Sequence, residues 1–337
     1  MSFTINGLSN ANEFYSQHYL DDILVKDLKP LFDQWKEQGA GSPVARLRSA
    51  SGTNGYFRDR ERFLAEKRPD ARARLLHDLA QPLLAALGYA LQPHPLALAD
   101  AGREGELPLL ALYRDNKGHP LLAIATALAL PGDEDTAPLQ LPPRDGKGAK
   151  AGRHHANWEE TLSRRLFADD TPPSWVLLVH HEQWLLIERA KWGRKALLRF
   201  DLPELFGPRD EHSLRAFCAL LGKQSVLPAE GGAALLDSLD DSSHKHAFEV
   251  STDLKYALRE CIELIANEAI RYKREVSKEK LFERTDTDLA DQLSRESLRY
   301  MYRLLFLFYI EARPELGYAP IQAEAYLKGY SVEHLRE

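Results

Sequence analysis

Cysteine is scarce in this 337-residue chain: Cys218 and Cys261 stand far apart, with no partner pattern around either. That argues against a disulfide framework or a structural zinc site and fits a reducing cytoplasm. The opening Met1-Ser-Phe-Thr-Ile-Asn-Gly7 has neither a charged nor an apolar stretch, so no export signal is read. A membrane-spanning helix needs about 20 apolar residues. Here an unbroken apolar run covers only 304–310, and Arg299, Arg303, Glu311 and Arg313 interrupt and bracket it. Positive charge is not in excess either. The formal net charge is −6, whereas a dedicated nucleic-acid-binding domain is more often basic, so any nucleic-acid contact has to come from local patches. No Walker-type glycine loop, Gly-x-Ser-x-Gly elbow or His-Glu-x-x-His helix occurs.

What is present is enough apolar sequence for real cores, 44%, and enough length for two domains. Residues 10–38 carry Phe14, Tyr15, Tyr19, Ile23, Leu24, Leu28, Leu31, Phe32 and Trp35 at steps of three and four, with Asn10 or Asn12 as a cap. This predicts a helical arm over 1–45. Residues 46–74 are dense in arginine with Asp59, Glu61, Glu66 and Asp70 interleaved, a pattern of solvated, ion-paired helix faces. A helix over 71–87 follows, with Gly88 placed for a left-handed C-cap. Strands are expected at 89–92, 107–113 and 121–130, with Asp115-Asn-Lys-Gly118 as a hairpin turn. A loop over 131–152, a helix over 158–167, a hairpin turning at His181-Glu182 and a strand at 196–201 complete an α/β unit on a mixed sheet, 46–205. Helices near 210–222, 230–240, 244–276 and 285–312 make an all-α domain of 206–337. Its run over 298–310, apolar on nearly every side, is expected to be a buried central helix. The chain stops at Arg336-Glu337 without a polar tail and reads as cut off.

The basic loop residues Lys147, Lys150 and Arg153, with Arg164 and Arg165 on the next helix, are the candidate phosphate contacts. Neighbouring side chains on a strand point to opposite faces, so His180 and His181 are not expected to share a metal. A helix at 75–87 followed by strands at 107–113 and 121–130 is the order of the PD-(D/E)xK nuclease core, which needs carboxylates to hold Mg²⁺ and a lysine to position water. Ala125-Thr-Ala127 stands where its Glu-x-Lys belongs, and 121–130 holds no ionisable residue. The expected fold is thus a degenerate, PD-(D/E)xK-nuclease-like α/β domain followed by an all-α domain. No catalytic, cofactor-binding or metal residue is assigned. An active Mg²⁺ nuclease would have to use carboxylates elsewhere, such as Asp100, Glu104 or Glu106.

The run Glu296-Ser-Leu-Arg-Tyr-Met-Tyr-Arg-Leu-Leu-Phe-Leu-Phe-Tyr-Ile-Glu-Ala-Arg-Pro-Glu-Leu-Gly317 resembles the helical segment ahead of the catalytic domain in large adenine-specific DNA methyltransferases. These are the type IIG restriction–modification enzymes and the methylases of DISARM and BREX phage-defence systems. The closing Tyr326-Leu-Lys-Gly-Tyr-Ser-Val-Glu-His-Leu-Arg336 is similar to the same region. Trp175-Val-Leu-Leu-Val and Trp184-Leu-Leu-Ile-Glu-Arg resemble their nuclease-like N-terminal domain. The resemblance implies DNA and defence-system subunits as partners, no membrane, and S-adenosylmethionine bound only by a C-terminal domain outside these residues. The Asn-Pro-Pro-Tyr motif that grips a flipped adenine is missing; Thr171-Pro-Pro-Ser-Trp175 lacks its asparagine and tyrosine. A protein-interaction scaffold without nucleic acid is the alternative.

Overall fold

Seven strands form one mixed sheet in the order β1-β7-β6-β5-β4-β3-β2. They are β1 (Leu8–Ala11), β2 (His94–Asp100), β3 (Arg103–Arg114), β4 (Pro120–Thr126), β5 (Trp175–Val179), β6 (Gln183–Glu188) and β7 (Leu197–Asp201). The structure is a computed structural model and describes residues 5–100, 103–143, 156–228, 232–278, 287–313, 317–321 and 323–332. Only β4 and β5 pair in parallel; every other neighbouring pair is antiparallel. A parallel pair requires a crossover, and residues 127–174 supply it. The turn predicted at Asp115 joins β3 to β4: the Gly118 amide donates to the Asp115 carbonyl at 3.0 Å, with Gly118 at φ +87°.

Twelve α-helices complete the described chain. Before β2 come α1 (Leu24–Asp27), α2 (Lys29–Gln38), α3 (Pro43–Ala50), α4 (Arg58–Ala65) and α5 (Pro69–Ala86). The crossover carries α6 (Trp158–Thr161), extended by a π-turn at Leu162–Leu166. After β7 come α7 (Leu202–Phe206), α8 (Glu211–Leu221), α9 (Lys223–Val226), α10 (Leu235–Glu275), α11 (Thr287–Ala312) and α12 (Glu324–Gly329). Helix α5 ends as its glycine predicts. Gly88 takes φ +92°, its amide reaches the Ala85 carbonyl, and the Tyr89 amide reaches Leu84, a Schellman cap.

Both faces of the sheet are covered. Ile124, Leu177, Leu186 and Phe200 face one core, shared with Leu83 of α5 and Phe217 of α8. Ala125, Val176, Leu178 and Ile187 face the other, closed by Trp158 and Leu162. That is why Trp175-Val-Leu-Leu-Val is continuously apolar: all five residues are buried, as strands enclosed on both sides are.

The opening segment departs from the expected helical arm at its start, although residues 19–38 are largely helical. Leu8–Ala11 pairs with β7, and the Asn10 side chain bonds both the amide and the carbonyl of Tyr15. Asn12 and Glu13 hold positive φ, which breaks the expected helix. Lys191, 7% exposed, then ties three regions together. Its ammonium bonds Asp240 of α10 at 2.6 Å, pairs with Glu188 at 3.1 Å and lies 4.0 Å from the Phe14 ring centre. Accordingly the chain divides into Met1–Ala247 and Phe248–Glu337, not at 45 and 205. Helix α8, expected to open the all-α domain, lies in the first unit with Phe217 to Leu221 fully enclosed.

The second unit contains the remainder of α10, with α11 and α12. Glu311 of α11 accepts from the Tyr326 hydroxyl at 2.9 Å and the Val332 amide at 3.0 Å. The run over 298–310 is not a buried core helix. Leu298, Tyr302, Phe306 and Tyr309 are each more than half exposed, while Met301, Leu304, Leu305, Phe308 and Ile310 are half-buried.

A close backbone approach precedes α4. A Cβ on Gly55 would sit 2.0 Å from the Ala50 carbonyl oxygen, so only glycine fits. Gly55→Ala should cost on the order of 2 kcal/mol, read as a lower urea midpoint; an unchanged midpoint would contradict this contact.

Candidate functional site

In sheets with parallel strands, the carboxyl ends of those strands are where sites are usually built. Here β4 and β5 end together, with the Ala127 amide extending the ladder to the Val179 carbonyl at 2.8 Å. Beyond them stand His180 and His181, 2% and 0% exposed. The strand has ended at Val179, so they do not alternate as strand residues would, and their ring centres lie 4.0 Å apart.

A column of rings and charge continues from this pair. His181 stacks on Phe63 of α4 at 4.6 Å. The Arg72 guanidinium lies 4.9 Å above the other partner in the column, the Phe63 ring centre. Arg72 is fully buried. It donates to the carbonyls of Glu66 at 2.8 Å, Ala129 at 3.0 Å and Leu64 at 3.1 Å, and to the Glu134 carboxylate at 2.7 Å. Glu134 also accepts from the Gly132 amide, and the Arg72 bond leads the interactions holding its carboxyl down to about 2. Arg60 pairs with Glu182 beside the histidines, and the Tyr56 hydroxyl donates to the His181 carbonyl at 2.9 Å.

Burial, and then the neighbouring His181, push the His180 imidazole down to about 2. Its Nδ1 accepts from the Glu182 and Gln183 amides at 3.3 Å, which leaves the proton on Nε2. Burial, reinforced by Arg60 and Arg72, lowers His181 to about 4 against the opposing pull of Glu134 and Asp135. Both rings are therefore neutral near pH 7. A neutral, enclosed pair beside a buried arginine ties chain segments together; it offers no solvent-facing acid or base. Neither imidazole lines the cavities of about 310, 540 and 550 Å³ found elsewhere on the first unit. Among the described residues no group of three or more His, Cys, Asp or Glu is placed to hold a metal ion.

The structure describes only some of the residues singled out in the sequence. Lys147, Lys150 and Arg153 fall outside the described residues. Arg164 and Arg165 lie on the π-turn after α6; Arg164 is exposed and paired with Glu160, and Arg165 is half-buried. Asp100 lies on β2, and Glu104 and Glu106 on β3. Arg72 was missed although a signal existed: it precedes Leu76, Leu79 and Leu83 at steps of four, three and four, on the buried stripe of α5. No described helix is long and apolar enough to cross a membrane. Comparisons with protein-family models, with curated proteins and with solved structures find no match to the chain.

Two outcomes test the cluster. Arg72→Met strips the donor from three carbonyls and a carboxylate, and should cost at least about 3 kcal/mol in urea unfolding. A loss within the range of ordinary surface substitutions would deny it that role. The histidines titrate below their ordinary value of 6.5 in the fold, so the unfolded chain binds more protons. Stability is then complete above about 6.5 and drains as pH falls from there toward 4, by up to roughly 3 kcal/mol for His181. His181→Phe keeps the ring stack and should reduce the pH dependence of the melting temperature between those limits by roughly half, with His180 supplying what remains; an identical profile would remove His181 as a cause.

Proposed function

We propose that the chain is a non-catalytic N-terminal region of an adenine-specific DNA methyltransferase from a restriction–modification or phage-defence system, working in the cytoplasm to dock DNA or partner subunits. The observation that carries this reading is where apolar surface is left open. Every large hydrophobic residue found exposed among the described residues lies at or beyond Phe248, whereas of the buried apolar residues only Val332 lies beyond Leu239. Phe248, Leu254, Leu264 and Tyr272 on α10, with Leu298, Tyr302, Phe306 and Tyr309 on α11, leave a concentration of large apolar side chains in water, and exposed apolar patches mark interaction sites. Such faces are stabilised by another folded body, and the resemblance supplies one, a methyltransferase domain.

The first unit supports the nuclease-like part of the reading through its element order. Helix α5, strands β2, β3 and β4, helix α6 and strand β5 follow the helix, three strands, helix, strand order of that core, with β4 beside β5 in parallel. Strand β4, Pro-Leu-Leu-Ala-Ile-Ala-Thr, offers no carboxylate for Mg²⁺. S-adenosylmethionine belongs to the domain that would cover α11, not to these residues.

Calorimetry with S-adenosylmethionine should show no binding to this chain alone; stoichiometric binding would overturn the assignment. A protein-interaction scaffold without nucleic acid is the second reading, and the net charge of −6 favours it. Duplex DNA separates the two, because docking on DNA predicts an affinity that falls steeply with added salt.

A further inference from the structure

We propose that the two cavities flanking α3 form one groove for the phosphodiester backbone of DNA. The proposal rests on the reading of the chain as a DNA-docking module and gives that reading a location built from residues other than those the sequence suggests.

One cavity, about 310 Å³, is lined by Lys36, Arg48 and Arg215, with Glu211 as its carboxylate and Phe32 and Trp35 as an aromatic wall. The next, about 540 Å³, is lined by Arg58 and Arg209 with Ser49, Asn54 and Asp59. Their walls are continuous in the chain: Arg48 borders the first and Ser49 the second, while Arg209 borders the second and Glu211 the first. Together they gather five cations against two carboxylates on the surface of a chain whose formal charge is −6.

Two of the arginines share one carboxylate. Glu211 accepts from Arg48 at 3.1 Å and also from Arg215, and Arg215 leans over the Phe32 ring at 5.9 Å. A guanidinium has five N–H donors. The ion pair engages part of each fork and fixes its direction, leaving further donors for an incoming oxyanion. Arginine also matches phosphate oxygens two at a time, as lysine cannot.

The spacing favours a polymer over a single ion. Helix α3 has eight residues, so the cavities succeed one another over roughly 12 Å. At about 3.4 Å of helix axis per phosphate on one strand, that length covers three to four phosphates. No base-edge reading is implied, so the contact positions DNA without selecting its sequence.

The test is fluorescence anisotropy of the full chain with a labelled duplex of about 20 base pairs across a salt series. The Arg48→Glu, Arg215→Glu pair should weaken binding by about tenfold or more and reduce the slope of log affinity against log salt by about two. Arg259→Glu, which reverses an exposed charge on α10, should stay within about twofold. If wild type binds and the pair binds equally well, the groove is overturned while the DNA-docking reading stands. If wild type binds no duplex at low salt, or binds polyglutamate instead, both fall. Melting curves check that each variant is folded. If the glutamate pair melts early, the Arg48→Gln, Arg215→Gln pair replaces it and is held to the same outcomes.

Discussion

A guanidinium sealed from water has to find its hydrogen bonds in the protein, and Arg72 finds four. Its partners come from the end of α4, the turn before α5, and the chain leaving β4, so one buried cation fixes where three segments meet. The Phe63 ring beneath it then fixes His181, and through His181 the turn between β5 and β6. Removing water makes each of these contacts stronger and their loss costlier. The end of the sheet where a parallel-strand protein commonly builds a site is thereby closed with charge and aromatic rings.

How much of this is legible in the sequence depends on the distance over which each signal acts. Strands β5, β6 and β7, the Asp115 turn and the Gly88 cap follow from neighbouring residues, and the structure places them close to where the sequence predicts. Strand β1 is different, because it exists only through pairing with β7, nearly two hundred residues away. Its aromatic neighbours meanwhile mimic a helical period. Strand β2 is hidden in the same way, with its proline and histidine reading as loop. The residues at 89–92 look extended but end in a backbone bond to the Tyr113 hydroxyl instead of a ladder.

The candidate site was less legible than the fold. An arginine among arginines reads as solvated surface, and only its step relation to Leu76, Leu79 and Leu83 marks Arg72 as buried. His180 and His181 were expected to diverge, an inference that required the strand to continue through them. Instead β5 ends one residue earlier, and the turn brings the two rings together. The alternation rule was sound, but the boundary to which it was applied was off by one residue.

The run over 298–310 shows a different limit. Its apolar character predicts burial, yet much of the run is exposed, because a sequence does not state which body has to cover such a helix. In Phe248–Glu337 the half-buried stripe of α11 leaves the neighbouring face, Leu298, Tyr302, Phe306 and Tyr309, in water. The same side chains that make a core helix make an interface when the covering partner lies outside the unit, because the hydrophobic effect depends on area removed from water and not on chain connectivity. Helix α8 shows the converse. It is ordinary in composition, yet it is enclosed because Trp184, Phe200 and Phe206 already surround Phe217. The first unit thus keeps its apolar residues for its own core, while the second presents them outward, and this asymmetry is what the proposed docking role rests on.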